Sequence, residues 1–504
     1  MRAINRRRRV PDPRRFRATR RAAGRVIRAA FSEVGVRYLS TRGEASALDF
    51  EGVLLAGLAP DGGLYLPETW PRLSPETLAS LRGRPYADVA VEVMAPFVAP
   101  TIDRARLAEL VQASYATFAD PAVAPLRPLG ADTWLLELFH GPTLAFKDVA
   151  LQLLGRLFDE VLARRGARLT VVGATSGDTG SAAIEGCRGR DALDIFILHP
   201  HGRTSDVQRR QMTTVQDTNV FNIAIEGTFD DCQDMVKVLF RDAATRDALH
   251  LGAVNSINWA RVLAQIVYYV TAWLSLPASD VAPTFVVPTG NFGDVFAGWC
   301  ARQMGLPIAS LVIATNTNDI LSRTLSTGRY SMEGVSPTLS PSMDIQISSN
   351  FERALFEASG RDAARVRGWM EELGRTGSFT LDDGTWAALR DVFKAGRADD
   401  TQTLATIAQT WTSQGVLLDP HTAVGVYVAE HTQHKPGSQV VVLSTAHAAK
   451  FPDAVRQATG QHPPLPAHLA DLFEREERYV VLPADVGVLR EYLFQHARAI
   501  TEAR

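Results

Sequence analysis

Lysine is scarce in this chain. Of its 53 basic residues, five are lysine (Lys147, Lys237, Lys394, Lys435 and Lys450) and the other 48 are arginine. Arginine serves wherever only positive charge is needed, but a guanidinium stays protonated and cannot form an imine. A lysine kept among so many arginines is therefore a candidate for chemistry at its amine. Cysteine is sparser still. Cys187, Cys232 and Cys300 lie far apart and share no ligand spacing. This excludes a disulfide framework, speaks against a zinc site, and points to a reducing compartment, the cytoplasm. No uninterrupted apolar run reaches the length of a membrane span. The nearest, from Val262 to Leu276, contains Gln265, Thr271 and Ser275 and reads as a buried helix. Excess charge is lacking too: the formal net charge is -2, which gives no global pull toward nucleic acid.

What is present is an ordinary globular composition, 46% hydrophobic and 21% charged over 504 residues. That length accommodates roughly two to four domains. Residues 1–35 stand apart, with twelve arginines, no lysine, and only Asp12 and Glu33 as acids. Three origins fit: a basic arm for nucleic acid, an organelle transit peptide, or an extension from a start codon placed too early. The last is favoured, because the remainder reads as complete without it. The segment has no core-forming pattern and is expected to be disordered and dispensable for activity. Residues 36–124 follow as an α+β segment, with a strong turn signal at Pro60-Asp61-Gly62-Gly63 and helices with arginine-rich faces over 72–118.

From about residue 125 the pattern alternates. A short apolar run at Trp134–Leu138 and short runs rich in β-branched residues at Leu169–Val172, Asp194–Leu198, Val220–Ile225, Thr284–Val287, Leu311–Ala314 and Gln439–Leu443 are separated by helical stretches. Such runs imply parallel sheets covered on both faces. The expected fold is α/β: two interleaved α/β domains spanning 125–475 with a cleft between them, followed by a strand and helix over 476–504.

Four stretches fall where α/β sheets bind ligands, past the carboxyl ends of strands. In the first, Gly141-Pro142 breaks a strand, and Lys147 opens a helix with Leu144, Ala145 and Phe146 beside it. Desolvation and the positive helix end both depress an amine's pKa, as a Schiff-base lysine requires. The plainer alternative is a solvated lysine at a helix start. The second stretch, Gly173-Ala174-Thr175-Ser176-Gly177-Asp178-Thr179-Gly180-Ser181, offers backbone N–H groups and the hydroxyls of Ser176 and Thr179 to an anion. It lacks the lysine of a nucleoside-triphosphate loop, and a glycine-rich turn with a helix cap would look similar. The third, Pro288-Thr289-Gly290-Asn291-Phe292-Gly293-Asp294, opens another helix whose first N–H groups could hold a phosphate. The fourth, Ser444 to Phe451, places a hydroxyl where it could face a ligand ring. His447 within it reads as a hydrogen-bonded packing residue. An activated amine, a phosphate cradle and a hydroxyl together indicate pyridoxal 5′-phosphate.

The chain resembles the threonine synthase family, within the fold-type-II class of pyridoxal-phosphate enzymes. The likeness rests on STRG and GLAPDGGLY near the start, then FHGPTLAFKD, GATSGDTG, NSINWAR, TGNFGD, SPSMDIQISSNFER and STAHAAKF in the family's order. It covers about residues 37 to 475. One departure is Ala448, where the family usually has proline. The resemblance implies two α/β domains with the cofactor in the cleft, as in the tryptophan synthase β subunit. It implies that Lys147 carries the cofactor, that Gly290, Asn291, Phe292 and Asp294 cradle its phosphate, and that Thr445 hydrogen-bonds the pyridine nitrogen. A hydroxyl at that nitrogen leaves it mostly unprotonated, so the ring is a weaker electron sink. Ser176 and Thr179 would hold the substrate carboxylate. Asn258, Arg261, Lys450 and Arg42 are candidates for the substrate phosphate, with a structural ion pair as the alternative for each.

The implied activity is the conversion of O-phospho-L-homoserine and water to L-threonine and phosphate, the last step of threonine biosynthesis. A monomer or homodimer with a small-molecule substrate, no membrane and no nucleic-acid partner is expected. Two other readings remain open. A phospho-lyase on phosphohomoserine or phosphothreonine would yield 2-oxobutyrate, and a non-catalytic binding protein would use the basic arm for nucleic acid.

Overall fold

The computed structural model describes residues 35–499. The expectation of disorder over 1–35 falls, but for its last position, outside the described residues. In chain order the strands are β1 (Tyr38–Ser40), β2 (Tyr65–Pro67), β3 (Leu126–Pro128), β4 (Thr133–Glu137), β5 (Leu169–Ala174), β6 (Leu193–Pro200), β7 (Val220–Glu226) and β8 (Leu251–Gly252). They continue as β9 (Thr284–Pro288), β10 (Ser310–Thr315), β11 (Arg329–Ser331), β12 (Ser378–Thr380), β13 (Phe393–Arg397), β14 (Val440–Ser444) and β15 (Val480–Pro483).

Two sheets organise the molecule. A six-stranded sheet has the order β13-β10-β9-β14-β4-β3, parallel except for β3 against β4. A five-stranded sheet, β15-β7-β6-β5-β8, is parallel throughout. All residues of β6, β9, β10 and β14 are buried, which is why these segments read as unbroken apolar runs and not as alternating ones. The two-domain α/β architecture expected from the sequence is the one found.

The N-terminal segment forms an antiparallel pair, β1 with β2, in the register Tyr38↔Pro67 and Ser40↔Tyr65. Its turn holds Gly62 in the left-handed region, φ 77°, where an added Cβ would also stand 2.8 Å from the Arg42 guanidinium. The arginine-faced stretch is three helices, Pro75–Leu81, Tyr86–Val98 and Arg104–Tyr115. The apolar run near residue 262 becomes the helix Trp259–Ser275, with fourteen of its seventeen residues buried. Among the described residues no helix is long and apolar enough to cross a membrane.

Topology places the ligand loops. Strands β9, β14 and β4 are neighbours in the six-stranded sheet. Their carboxyl ends therefore deliver the 288–294 loop, Thr445 and the approach to Lys147 side by side. The helix Lys147–Arg165 then crosses to β5, whose carboxyl end delivers Ser176 to Thr179 from the other sheet.

Candidate active site

An open cleft of about 1910 Å³ lies against these strand ends. Lys147, Ser176, Thr179, Arg261, Gly290, Asn291, Phe292, Asp294 and Thr445 all line it. Lys147 is the first residue of its helix and is buried. Its Nζ donates to Asp178 Oδ2 at 3.0 Å and approaches Ser342 Oγ at 3.4 Å. Burial pulls the amine below its ordinary pKa, Asp178 opposes this, and Lys450 and Arg261 add to the depression. For Asp178, burial alone would raise the carboxyl, but Lys147 and Lys450 outweigh it and hold it well below the usual range.

The candidate phosphate cradle is the turn after β9. Phe292 adopts a left-handed backbone, φ 63°, and starts the helix Gly293–Gln303. Its ring packs on Phe351 and Phe393, so it is an anchor under the loop, and its contribution to an anion is its backbone. The Gly290 carbonyl accepts from Ser348 Oγ at 2.6 Å, and the Asn291 carbonyl accepts from the N–H and Nδ2 of Asn350, each at 3.0 Å. These bonds tie the carbonyl side of the turn down and leave the helix N-terminus to a ligand. Gly290 is required there, since a Cβ would meet the Ser342 carbonyl oxygen at 2.6 Å. Asp294 faces away from this role. Its Oδ1 accepts from Tyr268 and Tyr269, Oδ2 has no partner, and burial lifts its pKa to about 7.

Thr445 lies beside Lys147: the Phe146 N–H donates to its carbonyl at 2.8 Å, and its own N–H donates to Thr422 Oγ1 at 3.2 Å. A buried amine, a tied-down glycine turn at a helix start and a cleft-facing threonine fit pyridoxal phosphate in size and donor chemistry. His447 is a packing residue, as expected. It is pushed down to about 4 by burial and by His140, and its Nδ1 accepts from the Ala449 N–H.

The four cationic or amide candidates for a substrate phosphate separate. Arg261 is buried in the cleft wall, donates to the Val254 carbonyl at 3.1 Å, and leaves Nε without a partner. No carboxylate among the described residues pairs with it. Asn258 is occupied instead as the cap of the helix Trp259–Ser275. Its Oδ1 accepts from the Ala260 N–H at 3.0 Å and its Nδ2 donates to the Leu54 carbonyl at 2.9 Å. Lys450 is fully buried behind Asp178, with Nζ donating to the Thr143 carbonyl and Gln211 and ion-paired with Asp178. Arg42 forms a two-pronged pair with Glu352, at 3.1 and 3.0 Å. Asn258, Lys450 and Arg42 are thus each engaged by groups of the protein itself, and none of the three lines the cleft.

Asp178, Ser342 and Asn255 were missed by sequence reasoning, and all three line the cleft. Asp178 sat within a quoted glycine loop, but nothing in the spacing links it to a lysine thirty-one residues earlier.

Comparison with known proteins agrees with this geometry. Residues 37–115 match the family "Threonine synthase N terminus", 121–382 match "Pyridoxal-phosphate dependent enzyme", and 422–493 match "Threonine synthase, C-terminal". The chain is 56% identical to a threonine synthase of Pseudomonas aeruginosa over 92% of its length and 98% of that protein. It superposes on a crystal structure of pyridoxal-phosphate-bound threonine synthase from Brucella melitensis with a TM-score of 0.90 at 56% identity, covering 92% of this chain and 100% of that one. Threonine synthase from yeast gives 0.87 at 41% identity, over 92% and 99% of the two chains. This chain belongs to the threonine synthase family of pyridoxal-phosphate-dependent enzymes.

Proposed function

We propose that the chain converts O-phospho-L-homoserine and water into L-threonine and phosphate. One observation carries the choice of substrate: a buried amine of lowered pKa, Lys147, and a buried guanidinium without a carboxylate, Arg261, line the same cleft and act on each other electrostatically. An amine of that kind handles the amino-acid end of a substrate, and a desolvated guanidinium awaits an anion.

Lys147 and the 290–294 turn would hold pyridoxal phosphate, with Thr445 at its ring. The cofactor supplies, when bound, an electron sink conjugated to the substrate's α-amine. Ser176, Thr179 and the backbone N–H groups of their loop would bind the α-carboxylate, and Arg261 the phosphate. So oriented, the substrate presents its α-proton to Lys147 Nζ. A β-proton then passes to the departing phosphate as the γ-carbon–oxygen bond breaks, so that hydrogen phosphate leaves. Nζ returns a proton to the γ-carbon, water adds at the β-carbon, and the α-carbon is reprotonated last. The balance is one water consumed and one phosphate released for each threonine.

The test is product identity, with the purified chain, pyridoxal phosphate and O-phospho-L-homoserine. Threonine and phosphate should appear one for one. Oxobutyrate and ammonia in place of threonine would move the chain to the phospho-lyase reading.

A further inference from the structure

We propose that Lys450 is a positioning residue for Lys147: it neutralises Asp178 from behind, so that Lys147 can leave its ion pair and work as a free amine. This rests on Lys147 being the working amine, as proposed above.

The geometry has two parts. Asp178 is buried and lies between two lysines, with Oδ2 at 3.0 Å from Lys147 Nζ and Oδ1 at 3.0 Å from Lys450 Nζ. Gln208 Nε2 donates to Oδ1 at 2.9 Å and Ser342 Oγ to Oδ2 at 3.2 Å. When Lys147 gives up its proton, the carboxylate still keeps a cation and two neutral donors. Without Lys450 it would be a buried carboxylate with no cation in hydrogen-bond contact, and Lys147 would be held as an ammonium. The second part is donor arithmetic. Lys450 Nζ meets three acceptors, the Thr143 carbonyl at 2.6 Å, Gln211 Oε1 at 3.0 Å and Asp178 Oδ1 at 3.0 Å. Two N–H donors are taken by hydrogen bonds, the third faces a carboxylate, and the side chain is fully buried, so the ammonium is closed to a substrate. Arginine would bring five donors to those three acceptors, which accounts for a lysine here in a chain that otherwise prefers arginine.

The other charged groups acting on this trio are few. Arg261 and Asp294 act on Lys147, His421 acts on Asp178, and Asp148 acts on Lys450. His421 is itself tied to Asp419 through Nδ1 at 2.8 Å. Among the described residues only Lys450 places a second ammonium in direct contact with the Asp178 carboxylate.

The experiment follows imine absorbance as pyridoxal phosphate is added to the full chain across neutral and alkaline pH, without substrate. In Lys450→Met the midpoint for imine formation should move up by about one pH unit, slowing the reaction about tenfold at neutral pH. In the double variant Lys450→Met/Asp178→Asn no stranded carboxylate remains, and the midpoint should return to the wild-type value or below it. That double variant keeps the test decisive if the single one does not fold. A Lys450→Met profile that overlays wild type, or a double variant titrating higher than wild type, would overturn the proposal. A wild-type chain that forms no imine, or a Lys147→Ala chain that forms it equally, would overturn the reading beneath it instead.

Discussion

At the scale of single residues, burial decides which polar groups remain available. Arg261 and Asn258 sit three positions apart in one motif, and chemistry alone does not rank them. The structure spends Asn258 on a helix cap and a carbonyl, whereas Arg261 keeps an unpartnered Nε at the cleft. Arg261→Met should therefore raise KM for phosphohomoserine roughly 10- to 100-fold, or about 1.4–2.8 kcal/mol. It should change thermal stability little, since removing a desolvated charge with no carboxylate partner among the described residues offsets the lost bond to the Val254 carbonyl. Asn258→Ala should do the reverse. Loss of the cap costs about 1 kcal/mol and an unpaired Leu54 carbonyl about 1–3 more, lowering the melting temperature while KM stays near wild type. Steady-state kinetics and thermal melts on both variants check this, and a KM rise confined to Asn258→Ala would exchange the two roles.

At the scale of elements, the phosphate turn depends on the helix it opens and on the helix beneath it. Asp294 stands at that start, but its carboxyl turns to Tyr268 and Tyr269 on the helix Trp259–Ser275. Unfolded, it would lose its proton near 3.8; folded, it keeps it to about 7. The folded chain holds the extra proton in that window, so this group's contribution to stability falls as pH rises from about 3.8 to about 7. Asp294→Asn abolishes the fall. Its melting temperature should gain on wild type across the window and hold a constant difference above it, and parallel curves throughout would show that Asp294 does not carry the proton.

Much of this level was legible in the sequence because the parallel strands are buried on both faces and flanked by turn residues. Strands β5, β6, β7, β9, β10 and β14 were located to within two residues at either end for that reason. Strand β13 was not. It lies at a sheet edge, reads Phe-Lys-Ala-Gly-Arg, and buries only its phenylalanine. The cleft residues set by strand ends were legible too. The roles of Asp294, Lys450 and Arg42 were not, because each is fixed by a partner distant in sequence or hidden beneath the loop.

At the scale of the whole molecule, the cleft sets the ends of β9, β14 and β4, which would hold the cofactor, opposite the end of β5, which would hold the substrate carboxylate. A ligand that binds only the folded chain stabilises it by mass action. Pyridoxal phosphate at a hundred times its dissociation constant should add about 2.7 kcal/mol to the unfolding free energy. Calorimetry with and without cofactor reads this directly, and an unmoved transition would mean that the folded chain does not bind it. In the proposed reaction phosphate leaves with its bridging oxygen and water adds at the neighbouring carbon. Turnover of O-phospho-L-homoserine in water labelled with heavy oxygen tests it most directly. Label is expected in the hydroxyl of threonine and none in the released phosphate. Label in the phosphate, with homoserine as the product, would mean simple phosphate-ester hydrolysis and would contradict it.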